Sequence, residues 1–293
     1  MKAIVFLCVV ASFAVPRHEA LGQTRGLQKA RKLGEQKAPP PPAPVQTYAS
    51  SELDRAIEEL PPNFNGHDIV FVYSALEERK RQSDKSEFET TDQWHQRQAA
   101  LLLEPIVGRM TIGSVWTFVI GHVRSVYDAD SQVLQIYVPF HSMLTSVGLA
   151  SSFRSLSAKT ESRTSSYLGT NAFGVIAEVE NTSYTIHEVV FGNAQSFPTV
   201  EVKDSDSSTA GVRVSVPSGP DAAKQMKPEV SALAVCRLTA PFTMSSSDYS
   251  DRATVSIPFT SQFQWNYVMT QLLEVWIFDR KSGVIHAKLR PRD

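Results

Sequence analysis

The sequence predicts an α+β fold in which short N-terminal helices precede an antiparallel β-sheet or sandwich built from hairpins. Residues 51–107 contain helix caps, apolar side chains at helical spacing and prolines that stop helices. Residues 108–293 instead contain short β-branched and aromatic runs separated by turn residues. Because the connections are too short for repeated helical crossovers, the strands are expected to pair antiparallel.

Two helices are expected early in the helical part. The first covers residues 52–60, with Ser51 as its cap and Pro61 as its stop. The second covers residues 68–82, where apolar side chains recur at helical spacing before the run becomes highly charged.

The third expected helix has the clearest start signal. Thr90 and Gln93 have the spacing of a capping box, in which each side chain satisfies the other residue's backbone amide. The helix is predicted over residues 94–103, and Trp94 and Leu101 share its apolar face.

Two hairpins are expected at the start of the β part. Residues 114–127 and 132–140 form the first, across a turn that Asp128 opens. Residues 173–180 and 184–191 form the second, across an Asn-Thr-Ser turn.

The remaining elements are shorter or more polar. Residues 151–166 and 203–209 are expected to be exposed loops, and residues 220–226 a helical turn. Further strands are expected at residues 212–216, 230–238, 254–259, 268–278 and 284–289.

One turn sequence occurs twice. The segment that starts at Tyr127 aligns without gaps with the one that starts at Phe278, and each has Asp at its second position and Ser at its fifth. An Asp side chain can accept a hydrogen bond from the amide two residues ahead, as such a turn requires. Recurrent turn chemistry is favoured over a duplicated domain, because neighbouring elements occur in a different order in the two halves.

The N-terminus predicts export. Lys2 precedes an apolar run over residues 3–15, and small residues at Ala20 and Gly22 fit a cleavage site, so residues 1–22 are interpreted as a signal peptide. The run is shorter than the ~20 residues that span a bilayer, and no long apolar run follows it. We therefore expect a periplasmic or extracellular protein without a transmembrane segment after cleavage.

Cleavage would remove Cys8 and leave Cys236 as the single cysteine. The mature chain would then have no intramolecular disulfide, and its fold would depend on its core. Cys236 lies in an apolar strand-like run, where an unpaired cysteine commonly packs as a small hydrophobic side chain.

Residues 23–50 are interpreted as a disordered leader, because a basic segment is followed there by the proline-rich stretch 38–44. A solvated spacer is favoured over a tether to an anionic surface or a proline-rich docking site. Residues 51–293 form the α+β domain. The net charge of −1 for the whole chain does not favour a nucleic-acid partner, since such proteins usually have a clustered basic face.

The segment Glu87-Phe88-Glu89-Thr90, continued to Trp94 and Arg97, resembles an EFET-type segment of uncharacterised exported bacterial proteins. The resemblance implies export and no activity. From the residues themselves, we expect Phe88 to pack ahead of the capped helix and Arg97 to pair with an acid.

No catalytic, cofactor-binding or metal-binding residues are predicted. The histidines outside the signal peptide have no zinc-site spacing, and no nucleophile elbow or phosphate-binding loop occurs. His122, His187 and His286 lie in strand runs and could converge in a site, although separate positions are more usual. An exposed patch of Trp265, Tyr267 and Trp276 would be a partner surface, but such aromatics also suit a core.

These observations favour an exported, non-catalytic binding or structural protein of the cell envelope. Its partner would be an envelope protein or a wall component. The alternatives are an envelope hydrolase whose site is assembled from distant strands, and a subunit of an envelope complex. The oligomeric state and the ligand are left open.

Overall fold

The computed structural model describes residues 47–141, 148–171, 173–203, 208–250 and 253–292. The predicted signal peptide, residues 23–46 of the leader and residues 204–207 of an expected loop lie outside them. Within the described residues strand predominates, so the prediction of a β-rich chain is confirmed.

The larger sheet contains six strands. They are β1 (Val115–Ile120), β4 (Arg154–Thr170), β5 (Ile176–Phe191), β8 (Val230–Tyr249), β9 (Phe259–Asp279) and β10 (Ile285–Leu289). Their order is β1-β8-β9-β5-β4, and β10 pairs with the last part of β9.

Not all of these strands pair as expected. β5 and β9 run parallel, from the pair Glu180 and Phe259 to the pair Phe191 and Thr270. The expectation of antiparallel pairing throughout is therefore wrong. The long connection that a parallel pair needs is supplied by the intervening strands of both sheets and by a short helix.

The smaller sheet has four antiparallel strands, β2 (Arg124–Asp128), β3 (Val133–Pro139), β6 (Thr199–Lys203) and β7 (Ser208–Pro217), in the order β2-β3-β7-β6. Leu134 and Ile136 of β3 are fully buried and belong to the same hydrophobic core as Trp116 and Phe118 of β1. The two sheets therefore share one core.

Three helices accompany the sheets: α1 (Ile69–Gln82), α2 (Thr91–Leu103) and α3 (Pro220–Met226). Asp68 caps α1, because its Oδ1 accepts from the Val70 amide at 3.0 Å. The side chains of Ile69, Val72 and Leu76 form the buried face of α1. Helical spacing thus indicated which side of this helix faces the core.

Helix α2 begins with the expected capping box. The Gln93 amide donates to Thr90 Oγ1 at 3.3 Å, and the Thr90 amide donates to Gln93 Oε1 at 3.0 Å. None of the side chains of α2 is fully buried. Phe88 is 90% exposed, so the expectation that it packs ahead of this helix is wrong; the capping hydrogen bonds form without it.

Arg97 fastens the segment before α2 to the helix. Its guanidinium donates to both carboxylate oxygens of Glu89, at 2.9 and 2.7 Å, and to the Asp84 carbonyl at 2.9 Å. The hydrogen bond from Arg97 lowers the pKa of Glu89 below its ordinary value. As expected, Arg97 therefore pairs with an acid, and its role within the EFET-type segment is structural.

Residues 52–60 do not form the expected helix. This segment crosses the larger sheet, where Leu53 and Ile57 pack against the cluster that contains Trp276. The Leu60 amide donates to the Gly283 carbonyl at 2.8 Å. Tertiary contacts to β9 and β10 therefore replace the hydrogen bonds that a helix would make.

The strands β4 and β5 are much longer than predicted. Residues 154–166 of the expected loop lie within β4, and the expected turn 181–183 lies inside β5. The two strands pair from Arg154 and Phe191 to Thr170 and Ile176. The loop and the second hairpin were wrong because Ser and Thr, which are typical of loops, here occupy an extended strand.

The larger sheet continues past the core as a four-stranded extension. The register of β8 against β9 shifts between Leu238 and Thr243. Beyond this shift, most residues of β4 from Thr160 onward are exposed. We call the extension the distal sheet; it comprises residues 160–170 of β4, 176–186 of β5, 243–249 of β8 and 259–266 of β9.

The repeated turn sequence has the same hydrogen bonds in both places. Asp128 Oδ1 accepts from the Ser131 amide at 3.4 Å, and Asp279 Oδ1 accepts from the Ser282 amide at 2.7 Å. Local turn chemistry is thus sufficient to account for the repeat. The next residue is Gln132, with φ of 51°, in the first turn, and a glycine, with φ of 87°, in the second.

We expect the substitution Gln132→Gly to stabilise the protein by up to about 1 kcal/mol, because a left-handed backbone costs a residue with a Cβ about 1–2 kcal/mol and part of that gain is offset by glycine's entropy. Urea unfolding measures the change. The substitution Gln135→Gly, in the extended strand β3, is the control and should be destabilising.

Candidate functional site

One face of the distal sheet carries a row of aromatic side chains. Tyr184 of β5 is paired in register with Phe263 of β9, and Trp265 follows Phe263 by two residues. Because alternate residues of a strand point to the same side, these three side chains share a face, and Phe259 extends the row toward the end of the sheet. We call Tyr184, Phe259, Phe263 and Trp265 the aromatic face.

The rings of this face are stacked on each other. The centroids of Tyr184 and Phe263 are 5.0 Å apart with planes at 10°, and those of Phe263 and Trp265 are 5.5 Å apart with planes at 17°. These three side chains are half-buried, whereas Phe259 is 53% exposed. The result is an apolar ridge of three stacked rings.

The opposite face of the distal sheet is polar. Its β9 side chains are Gln262, Gln264 and Asn266, and hydroxyl-bearing residues dominate the neighbouring strands. Toward the core this face is covered by α1, where the rings of Tyr73 and His187 meet edge to face at 5.7 Å. Within the distal sheet, β9 therefore has aromatic side chains on one face and amide side chains on the other.

The aromatic face continues toward the core, but there other parts of the chain cover it. Tyr267 is 4% exposed and packs in a cluster with Leu149 and Phe153. Trp276 is fully buried under Leu53 and its neighbours. The predicted partner surface of Trp265, Tyr267 and Trp276 is therefore corrected. Tyr267 and Trp276 are buried in the core, and only Trp265 is accessible enough to contribute.

A polar hollow lies beside the aromatic ridge. Its volume is about 690 Å³, and it is lined by Ser166, Glu178, Glu180, Thr182 and Tyr184 together with residues 258–261. Carboxylates and hydroxyls thus stand next to apolar ring edges. Such a surface can combine apolar contact with hydrogen bonding to donors on a partner.

The buried end of the face contains a carboxyl group with a perturbed pKa. Burial raises the pKa of Glu188, which is 9% exposed and is paired with Tyr267 across β5 and β9. Burial also raises the pKa of Tyr267, whose hydroxyl lies 3.2 Å from Ser246 Oγ. In both groups, burial thus shifts the equilibrium toward the neutral form.

The three strand histidines occupy separate environments. His122 lies after β1, with its ring 6.1 Å from that of His141, and His187 Nε2 lies 3.1 Å from Asn266 Nδ2. His286 is on β10, where burial lowers its pKa. None of these three histidines lines a cavity described here, and the hypothesis of a site formed by their convergence receives no support from these contacts.

A second cavity, of about 480 Å³, lies beside the N-terminal segment and includes His67, Asp68, Lys159, Glu229 and Arg280 in its lining. His67 Nδ1 accepts from the Thr117 amide at 3.0 Å, and its Nε2 lies 3.2 Å from the Ser51 carbonyl. Burial lowers the pKa of His67, and Asp68 caps α1. The two groups best suited to proton transfer thus have structural hydrogen bonds.

Cys236 is a core residue, as its sequence context predicts. It is fully buried, and burial raises the pKa of its thiol to about 12. Since the thiolate is the nucleophilic form, this side chain is poorly placed to react in the folded protein.

Sequence reasoning singled out Trp265 but missed Tyr184, Phe263 and Phe259. The signal that could have found two of them is the alternation of aromatics at positions 259, 263, 265 and 267, which is typical of one strand face. The sequence could not have placed Tyr184 on the same face, because its partner Phe263 lies 79 residues further along the chain.

Across the described residues, no group of three or more His, Cys, Asp or Glu side chains is placed to hold a metal ion. In the same residues, no helix is long and apolar enough to cross a membrane. No protein-family model, curated protein or solved structure matches this chain.

Proposed function

We propose that the protein is an exported, non-catalytic binding protein of the cell envelope, and that the aromatic face is its partner surface. The observation that carries the proposal is the half-buried, stacked row of Tyr184, Phe263 and Trp265 on a sheet that extends beyond the core. Aromatic side chains are enriched at the centres of protein interfaces.

The orientation of the rings favours one kind of partner. A sugar ring would stack on a free aromatic face, but in this row the faces of Tyr184 and Phe263 are used against each other. Ring edges carry partial positive charge and suit apolar or carbonyl-bearing groups. An envelope protein is therefore favoured over the glycan strands of a wall component.

Export rests on the sequence of residues 1–22 and on the resemblance of the Glu87–Trp94 segment. The leader, residues 23–50, would then be a spacer between the cleavage site and the binding domain. A subunit of an envelope complex would need such a spacer to contact its partner.

The alternative is an envelope hydrolase, and the observation that favours it is the cavity beside His67. Such a hydrolase would need a proton-transfer group in that cavity other than His67 or Asp68. Binding at the aromatic face requires no free acid or base, so the binding proposal does not depend on such a group.

Two neighbouring serines offer a matched test of the proposed function. Ser166 and Ser165 are both exposed and lie on opposite faces of β4, with Ser166 in the hollow beside the aromatic ridge. Cys236 is buried, and Cys8 lies in the predicted signal peptide. In the cleaved protein, a benzophenone maleimide would therefore label only an introduced cysteine, as in Ser166→Cys or Ser165→Cys. Each labelled protein is photo-crosslinked in envelope fractions of the native host, and adducts are identified by mass spectrometry.

We expect reproducible protein adducts from Ser166→Cys that are absent from Ser165→Cys. These adducts should disappear when Phe263→Ser is added, because that change interrupts the aromatic row. Identical adducts from both serine positions, or none from either, would count decisively against the aromatic face as a partner surface.

A further inference from the structure

The hairpin that joins β4 and β5 projects beyond the other strands. The pairing of β5 with β9 begins at Glu180 and Phe259, whereas the pairing of β4 with β5 continues to Thr170 and Ile176. At about 3.3 Å per residue, the two-stranded part extends roughly 13 Å past the start of β9. We call residues 167–171 and 173–177 the hairpin end.

The hairpin end is apolar and solvent-exposed. Phe173 is 92% exposed, Leu168 76% and Ile176 65%, and Tyr167 and Val175 are also exposed. Five of the fifteen exposed large hydrophobic side chains in the described residues therefore lie on this one hairpin. Such a concentration is unusual for a free surface and indicates a contact with an apolar phase or partner.

Its apolar side chains point in opposite directions. Tyr167 and Leu168 are consecutive residues of β4 and therefore lie on opposite faces of the hairpin, and Ile176 of β5, which is paired with Thr170, lies on the face of Leu168. A flat protein surface, or a second copy of the chain packed against one face, would cover only half of them. A lipid interface surrounds an inserted hairpin and covers both faces.

The charges around the hairpin end also fit a lipid interface. Residues 167–177 contain no charged side chain. The first charges behind them on β5 are Glu178 and Glu180, within four residues of Ile176. Carboxylates at that depth would meet the headgroups, where they attract the ammonium groups of zwitterionic lipids and repel anionic ones.

We propose that the hairpin end inserts into the interface of a lipid bilayer, with a preference for zwitterionic headgroups. The roughly 13 Å projection is sufficient for the about 5–10 Å to which amphipathic elements enter that interface. The insertion involves residues beyond the aromatic face, so it does not rest on the proposed function and can fail separately from it.

Flotation of the protein, as purified from its native host, with vesicles of phosphatidylethanolamine and phosphatidylcholine tests the inference. The chain supplies closely matched controls: Phe173→Asp is compared with Phe88→Asp, at side chains 92% and 90% exposed, and Leu168→Asp with Leu103→Asp, at 76% and 77%. The unfolding midpoint of each variant shows that the fold is kept.

We expect Phe173→Asp and Leu168→Asp each to weaken vesicle binding about tenfold or more, since each removes one buried apolar side chain from the interface. Phe88→Asp and Leu103→Asp should leave it unchanged. On vesicles that also contain phosphatidylglycerol, the unmodified protein should bind more weakly, because the anionic headgroups repel Glu178 and Glu180.

Three results would overturn the inference. They are failure of the unmodified protein to float with the vesicles, equal loss of vesicle affinity in the test and control variants, and unchanged vesicle affinity in the Phe173→Asp variant. A dimer in sedimentation that Phe173→Asp dissociates, without vesicle binding, would assign the hairpin end to a second copy of the chain instead.

Discussion

Replacing Arg55 by methionine is expected to destabilise the protein by about 3 kcal/mol, because it removes the main partner of a buried carboxylate. The side chain of Glu274 is fully buried, and Arg55 Nε donates to its Oε1 at 2.9 Å. Arg290 Nε lies 3.3 Å from the same oxygen, and Trp276 donates to the other. Because Arg290 remains, the expected loss is at the lower end of the range for broken buried pairs.

The destabilisation should depend on pH. Burial by itself raises the pKa of Glu274, but hydrogen bonds from Arg55 and Trp276 outweigh it, and the pKa lies below its ordinary value. A carboxyl group whose pKa is lowered by folding contributes stability above its unfolded pKa, about 4.3 for Glu, and loses it as the pH falls through the folded value. The difference between Arg55→Met and the unmodified protein should therefore be largest near neutral pH and should shrink in acid.

Arg81→Met is the matched control. Arg81 also pairs with a glutamate, Glu78, but both side chains of that pair are more than half exposed. Its removal should change the free energy of unfolding by about 0.5 kcal/mol or less. Urea titrations of both variants at neutral and acid pH provide the measurement, and equal effects would show that burial of Glu274 does not matter.

The capping box and the turns opened by Asp were predicted correctly, because each is formed by residues close together in the sequence. The capping box of Thr90 and Gln93 and the turns opened by Asp128 and Asp279 have the expected hydrogen bonds. Each depends on residues no more than a few positions apart. No distant contact is needed to form them.

Strand β4 was missed for the opposite reason. Its distal half, residues 160–170, is exposed on both sides and rich in Ser and Thr, so no alternation of hydrophobicity marks it as a strand. Pairing with β5 supplies the order that its own side chains do not. The parallel pairing of β5 with β9 could not be predicted from the sequence either, because several elements lie between these two strands along the chain.

The partner surface was predicted only in part for a related reason. Trp265 and Trp276 lie on one strand, and nothing in their neighbourhood distinguishes them. The difference is made by the segment around Leu53 and Ile57, which covers Trp276 and leaves the distal sheet bare. That segment was predicted to be a helix, so its position over the sheet could not be foreseen.

Gly283→Ala is expected to be among the most damaging glycine-to-alanine changes in the described residues, with a loss of about 3 kcal/mol or more in the free energy of unfolding. Gly283 has φ of +87°, and a Cβ built there would lie 1.9 Å from the Leu60 carbonyl oxygen. The left-handed backbone alone would cost about 1–2 kcal/mol. The overlap adds to this, because the obstructing atom is backbone and cannot rotate away.

The contact also joins two parts of the fold. The Leu60 amide donates to the Gly283 carbonyl at 2.8 Å, and Glu59 forms a bridge with Val284. Pushing the chain away from this turn would therefore loosen the segment that covers Trp276, and the fluorescence of buried tryptophan should change along with stability.

Gly174→Ala separates backbone strain from the overlap. Gly174 has a similar φ of +78°, but no atom lies within 4 Å of a Cβ built there. It should cost only the strain, about 1–2 kcal/mol. Thermal and urea unfolding of the two alanine variants would measure the difference. If both lose the same stability, the close approach of Leu60 to Gly283 is not a constraint on this fold, and the N-terminal segment must be held chiefly by Glu274 and its partners.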